Sequence, residues 1–279
     1  MDPLALVPSI GSKELVALLP LLLGLRAGDR VVIPTLAYPT YEVGALFAGC
    51  DIVVSDDPGD VAGARLVWLN SPSNPTGRVS GAAEMRAMID AARASGAVVA
   101  SDECYVEFGW EAEPMSALHP EVIGDDPTGV LALHALSKRS NLAGYRFGVV
   151  AGDPALIGRI LEVRKHLGLM VPLPVQRAAA AAWGDQEHVE EQRRRYLRRR
   201  GILRPALEEA GFRIDHSEAG LYLWATRDQG CWDTVADLAA RGVLVAPGDF
   251  YGAAGARHVR IALTASDEAI DRAAAGIRG

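Results

Sequence analysis

Short apolar runs recur along the first half of the chain. DRVVIP, DIVVS, RLVWLNSP, AVVASDE, GVLALHAL and RFGVVAGD are rich in Val and Leu and bounded by turn residues, the pattern of strands buried on both faces. Between several of them lie amphipathic stretches with helical spacing, among them TYEVGALFAG and GAAEMRAMIDAARASG, the second closing on a glycine. Buried strands alternating with helices predict an α/β domain with a mostly parallel sheet flanked by helices.

Past Asp153 the pattern changes. DPALIGRILEVRKHLG, VQRAAAAAW and QEHVEEQRRRYLRRRGILRPALEEAG read as long helices. FRIDHS, LYLWATRD, VLVAPGDF and HVRIALT then read as strands, with WDTVADLAARG and DEAIDRAAAGIRG as helices. This predicts a smaller C-terminal α+β domain over 195–279 behind a large domain over 1–194. The basic run RRRYLRRR follows EHVEEQ and precedes LEEAG, so a solvated helix face with i,i+4 charge pairs outweighs a nucleic-acid stripe.

Composition narrows the function classes. The chain has 279 residues, 49% hydrophobic and 23% charged, as in a globular enzyme with a sizeable core. A net charge of -7 gives no general attraction to nucleic acid or anionic membrane. Three cysteines without a CxxC pair fit a reducing compartment, and the histidines show no metal-ligand spacing, so no metal is expected. The N-terminal stretch MDPLALVPSIGSKE lacks the basic and apolar regions of a signal peptide. The run Leu15 to Leu25 is too short to span a bilayer and holds Pro20. A cytoplasmic protein is expected.

Candidate chemistry sits in the loops after the predicted strands. In LALHALSKRSNLAGYRFG a core strand ends on Ser137 and Lys138, and Arg146 follows eight residues later. Alone, Lys138 reads as a surface lysine at a strand end. Asn74, in SNPTG, reads alone as turn chemistry. Asp102 ends the strand AVVA, where α/β proteins bind ligands, and Tyr105 lies three residues on. Gly11, Ser12 and Lys13 open an apolar helical run, which makes either a plain N-cap or an anion site. Tyr38 follows VVIP and is either packed or a platform for a flat ligand. Together these can converge on one sheet edge. A lysine able to bond a carbonyl carbon, an anion cradle, an acid, a phenol and an aromatic platform form the set a pyridoxal phosphate enzyme needs.

The order Gly-Ser-Lys, Tyr-Pro, Asn-Pro-Thr-Gly, Asp-Glu-x-Tyr, Ser-Lys and Arg resembles class I/II aminotransferases of pyridoxal phosphate (PLP) fold type I. It extends from Gly11 to Arg260, with 28 residues between Asn74 and Asp102 and 36 between Asp102 and Lys138. The resemblance implies that Lys138 carries PLP and moves the substrate Cα proton. It implies that Asp102 pairs with the ring N–H, that Asn74 and Tyr105 bind the ring's phenolic oxygen, and that Tyr38 stacks on the ring. Gly11, Ser12, Lys13, Ser137 and Arg146 would cradle the phosphate. Arg260 would fork onto the substrate α-carboxylate, beside Asn74.

Local wording such as IGSKELVALLP, SDECYVEFGW and LSKRSNLAGYR is similar to actinobacterial succinyldiaminopimelate aminotransferases. That implies transamination between N-succinyl-LL-2,6-diaminopimelate and 2-oxoglutarate in lysine biosynthesis, with amino acid and 2-oxo acid substrates. Arg139, Lys165 and His166 are candidates for the distal carboxylates. The fold type implies a homodimer, with Leu167 to Pro174 reaching the neighbour's site.

Two departures stand out. Ala135 occupies the position where many relatives place a phosphate-binding serine. The chain also begins almost at the phosphate loop, without the family's N-terminal arm, so a trimmed or misassigned start and poor catalysis are expected. Other readings stay open: another amino-acid aminotransferase or a C–S lyase on this scaffold, a PLP-binding fragment without turnover, or a bare α/β binding module.

Overall fold

The computed structural model describes residues 5–279, so the first four residues of the stretch read for a signal peptide lie outside it. The chain begins with strand β1 (Leu6–Ser9), helix α1 (Gly11–Leu22), β2 (Arg30–Ile33), α2 (Thr40–Phe47), β3 (Asp51–Val54), β4 (Ala64–Asn70) and α3 (Ala82–Ala94). It continues with β5 (Val98–Asp102), the single turn α4 (Pro120–Ile123), β6 (Val130–Ala135), the single turn α5 (Leu136–Arg139), β7 (Gly148–Gly152), α6 (Pro154–His166) and α7 (Leu173–Gly184). After α8 (Glu187–Glu209) come β8 (Arg213–Ile214), β9 (Tyr222–Thr226), α9 (Cys231–Ala240), β10 (Ala246–Pro247), β11 (His258–Ala262) and α10 (Asp267–Arg278).

The first seven strands make one sheet in the order β1-β7-β6-β5-β4-β2-β3. The five from β6 to β3 run parallel, β7 runs against them, and edge strand β1, antiparallel to β7, runs in the same direction as the five. Side-chain alternation divides β4 between two cores. Leu66 and Trp68 pack with Leu15, Leu19 and Tyr41 beneath α1 and α2, while Val67 packs with Met85 and Ile89 of α3 on the opposite face. Burial on both faces explains why these strands read as continuous apolar runs. The register sets Asn70 beside Asp102 at the carboxyl ends of β4 and β5. At the other edge, β1 pairs Ser9 with Gly148 and so delivers the start of α1 to the same end of the sheet.

The last four strands form a separate antiparallel sheet in the order β10-β11-β9-β8. Its core joins Leu223, Val259 and Ile261 with Leu203 and Leu207 of α8 and Ile277 of α10. Helix α8 runs unbroken across the 194/195 boundary expected from the sequence, and the α8 side chains that enter this second core begin at Tyr196.

Two local expectations change. The run VLVAPGDF yields only Ala246–Pro247 as strand. Pro247 has no N–H for a ladder, and Gly248 is folded so tightly that a Cβ there would lie 2.2 Å from the Gly255 carbonyl. The basic run on α8 is not wholly a solvated face. Arg195 does pair with Glu191 in the i,i+4 manner, but Arg199 and Arg200 are buried. Arg199 meets Asp267 of α10 at 2.6 Å, and Arg200 meets Glu111 and the Ser217 carbonyl. These arginines hold α8 against its neighbours. No helix among the described residues is long and apolar enough to cross a membrane.

Candidate active site

At the carboxyl ends of the parallel strands lies a cavity of about 230 Å³. Ser12, Lys13, Tyr38, Asn74, Asp102, Tyr105, Ser137, Lys138 and Arg260 all line it. They come from six separate stretches of chain, and only the fold brings them together.

Asp102 ends β5 and is buried. Its Oδ2 accepts a hydrogen bond from Tyr41 Oη at 3.0 Å, and its Oδ1 accepts from the Cys104 backbone N–H at 3.3 Å. Burial pushes the carboxyl above its usual range, while the donors from Cys104 and Tyr41 and the charge of Lys138 act against that rise. A buried carboxylate held this way suits a cationic N–H partner.

Lys138 sits on α5, directly after β6, with Ala135 in extended conformation before the turn. Its Nζ lies 5.9 Å from the centre of the Tyr105 ring. Tyr105 is buried, its phenol pushed up first by burial and next by Tyr222, whose Oη is 2.7 Å from its own. Asn74 is positioned by Asn70. The Asn70 Oδ1 accepts from the Asn74 N–H at 2.8 Å, and the Asn70 Nδ2 donates to the Asp102 carbonyl at 2.9 Å. The loop after β4 is thereby tied to the end of β5.

Arg260, on β11 of the second sheet, reaches across and donates from Nη1 to Asn74 Oδ1 at 2.8 Å. Its guanidinium carbon lies 3.9 Å from the Tyr222 ring centre and 5.0 Å from that of Tyr251. Its Nε is buried without a hydrogen-bond partner among the described residues. The Arg260 side chain as a whole is half-buried and lines the cavity.

The start of α1 presents backbone donors. No side chain caps it, so its first backbone N–H groups stay free. Gly11 has φ +75°, and a Cβ there would lie 2.6 Å from Arg146 Nη2. Gly11 and Arg146 thus lie against each other, and neither lines the cavity. Arg146 is held by its own donation from Nη1 to the Ala143 carbonyl at 2.8 Å. Glu14 braces the turn, accepting from the Ile10 N–H at 3.1 Å and from buried Arg164 at 2.7 Å. Lys13 extends its Nζ to 5.6 Å from the Tyr38 ring centre.

Tyr41, Asn70, Cys104 and Tyr222 also line the cavity, and sequence reasoning did not single them out. Tyr41 lies three residues after Tyr38, Cys104 is the variable position of Asp-Glu-x-Tyr, and Asn70 ends a recognised strand. Tyr222 carries no such mark, because its place depends on how the second sheet docks. The three cations expected to meet distal carboxylates do not line the cavity. Arg139 is buried and committed to Glu107 at 2.6 Å, the Ala182 carbonyl and Gln186. Lys165 pairs with Glu162 at 2.8 Å on the exposed side of α6, and His166 is exposed beside it.

The family model of aminotransferase class I and II matches residues 2–277. The chain is 56% identical over 277 residues to 4-dedimethylamino-4-oxo-anhydrotetracycline transaminase OxyQ of Streptomyces rimosus, a match covering 99% of this chain and 77% of that relative. It is 56% identical over 268 residues to a probable aminotransferase of Mycobacterium tuberculosis, covering 95% of this chain but 64% of the relative, less than two thirds of its length. A solved structure of a probable N-succinyldiaminopimelate aminotransferase from Thermus thermophilus matches with a TM-score of 0.89 at 29% identity, over 98% of this chain and 77% of that one. The chain belongs to the class I and II aminotransferases.

Pyridoxal 5′-phosphate is the cofactor that this membership implies. The residues fit it. The uncapped start of α1, opened by a glycine that leaves room for Arg146, offers a phosphate cradle, and Asp102 offers a buried carboxylate for a ring N–H.

Proposed function

We propose that this chain carries an amino-group transfer site in which Lys138 is the group that bonds the cofactor and moves the substrate proton. The observation that carries the reading is the convergence of Lys138, Asp102 and the incompletely paired Arg260 on one cavity. When bound, PLP supplies an electron sink for the pair left at the substrate Cα. The protein does the rest. Gly11, Ser12, Lys13, Ser137 and Arg146 hold the phosphate, and Tyr38 covers the ring. Asp102 keeps the ring nitrogen protonated, while Asn74 and Tyr105 hold the phenolic oxygen. Arg260, which lines the cavity, offers its guanidinium to the α-carboxylate, which would bring Cα within reach of the Lys138 amine. Lys138 takes the Cα proton as base and returns it as acid.

We propose N-succinyl-LL-2,6-diaminopimelate as the amino donor and 2-oxoglutarate as the acceptor. The wording of the sequence suggests this pairing, and the likeness to the probable N-succinyldiaminopimelate aminotransferase of Thermus thermophilus supports it. Lys13, which lines the cavity where Arg139, Lys165 and His166 do not, would be the cation that meets a distal carboxylate. The relation to OxyQ favours a second reading, in which a bulky polycyclic ketone accepts the amino group. We also infer a homodimer, supported by the exposure of Leu167 and Met170 between α6 and α7 and of Leu173 at the start of α7.

Steady-state assays with succinyl-diaminopimelate, aspartate, aromatic amino acids, cystathionine and a tetracycline-type ketone separate these readings. The first reading expects the highest kcat/KM for succinyl-diaminopimelate with 2-oxoglutarate. A preference for the polycyclic ketone would replace it with the second.

A further inference from the structure

Tyr222 joins the two sheets at the site, and nothing in the sequence motifs assigns it a task. On β9 it shares a face with Arg260. Arg260 of β11 lies opposite Trp224 on the neighbouring strand β9, and Tyr222 is two residues along from Trp224, in the diagonal position where long side chains meet. The Arg260 guanidinium carbon sits 3.9 Å from the Tyr222 ring centre, so the ring supports the cation from one side. The Tyr222 hydroxyl, at the other end of the same side chain, lies 2.7 Å from the Tyr105 hydroxyl in a buried contact. The two rings meet edge to face, 5.6 Å apart at an interplanar angle of 69°. One side chain of the small sheet thus touches both the carboxylate fork and the phenol that follows β5.

We propose that Tyr222 is a positioning residue with two separable duties: its ring sets the plane of the Arg260 fork, and its hydroxyl donates to Tyr105 Oη so that Tyr105 can donate its own proton to the cofactor's phenolic oxygen. The inference rests on the PLP reading of the site given above. A hydroxyl that must donate to an anionic oxygen does so better when its own oxygen accepts a hydrogen bond, since linked hydrogen bonds polarise one another. Tyr222 is placed to give that bond, and Arg260, whose Nη1 already donates to Asn74, takes its orientation from the ring below it.

The two duties come apart in two variants of the 279-residue chain. Tyr222→Phe keeps the ring and removes the hydroxyl. Tyr222→Leu removes both. The first readout is the pH midpoint of the visible band that the chain forms with PLP. The second is the affinity for glutarate, a dicarboxylate that cannot react, measured calorimetrically with and without PLP. Tyr222→Phe is expected to bind glutarate within about twofold of the parent, while its band midpoint rises by about half a unit, the scale of one relayed hydrogen bond. Tyr222→Leu is expected to weaken glutarate roughly tenfold with or without PLP, the loss expected when a desolvated cation–π support is removed. An unmoved midpoint in Tyr222→Phe, or unchanged glutarate affinity in a folded Tyr222→Leu, overturns the proposal. Absence of any visible band in the parent chain would instead count against the PLP reading, and the glutarate contrast without PLP would still decide the ring's duty.

Discussion

Tyr41 and Asp102 form a buried hydrogen bond of 3.0 Å beneath the candidate active site, and the Tyr41 ring lies stacked on Trp68 with centroids 4.7 Å apart. The end of β5 and the helix α2 thereby hold one carboxylate between them. Tyr41 is fully buried, and its phenol is pushed well above its ordinary range by burial and by Asp102, so it stays a donor. The donor opposes the upward drift of the Asp102 carboxyl that burial causes.

Tyr41→Phe keeps the stack on Trp68 and removes only this donor. Asp102 then titrates at higher pH than in the parent, because one group favouring its charged form is gone. Affinity for PLP should fall roughly tenfold in mildly acidic buffer, the value of one hydrogen bond to a charged group, and by less in alkaline buffer. Fluorescence titration of PLP from mildly acidic to mildly alkaline buffer checks this. An equal loss at every pH would mean that Tyr41 acts through packing alone.

Glu103 is buried next to Asp102 and accepts a hydrogen bond from the Ala117 N–H at 2.7 Å. Burial pushes its carboxyl from 4.5 to about 7. The folded protein then keeps a proton that the unfolded chain has released, so stability falls as pH rises from about 4.5 to about 7. The full effect is about 3 kcal/mol. Glu103→Gln should remove this slope, seen as a flatter dependence of the urea midpoint on pH over that window. A variant as pH-sensitive as the parent there would show that Glu103 is not the group responsible.

His134 works in the opposite direction. It lies on β6 against Trp183, its Nδ1 has no partner among the described residues, and burial lowers its pKa from 6.5 to about 4. Below pH 6.5 the unfolded chain binds a proton that the folded protein refuses, so stability is lost as pH falls from 6.5 to about 4. His134→Phe should hold its melting temperature better than the parent as pH falls through that window. At neutral pH it should change stability little, since an unpaired polar group gives way to an apolar ring. A steeper acid loss in the variant would refute this account of His134.

The sheet was legible because its strands carry apolar runs, from burial on both faces in the central strands, and the runs from DRVVIP to RFGVVAGD correspond to β2 through β7, with β3 at the edge only partly buried. Strand β1 was not, since LVPS is four residues long and holds a proline that a sheet accepts only at its edge, where β1 lies. The residues lining the cavity were legible where they fall at or just after strand ends, as with Asn74, Asp102 and Lys138. Tyr222 was hidden, because it looks like any inward position of an alternating strand. Arg139 was misleading for the converse reason. It stands next to Lys138 in sequence, but the single turn of α5 sends it away from the cavity to Glu107.

In the proposed function Lys138, which lines the cavity, is the group that would bond the cofactor. The most direct test is the absorption spectrum of the 279-residue chain mixed with PLP, recorded beside Lys138→Ala. The account predicts a visible band distinct from free PLP in the parent, absent in Lys138→Ala, and altered when glutamate is added to the parent. Identical spectra for the two proteins, both those of free PLP, would contradict it.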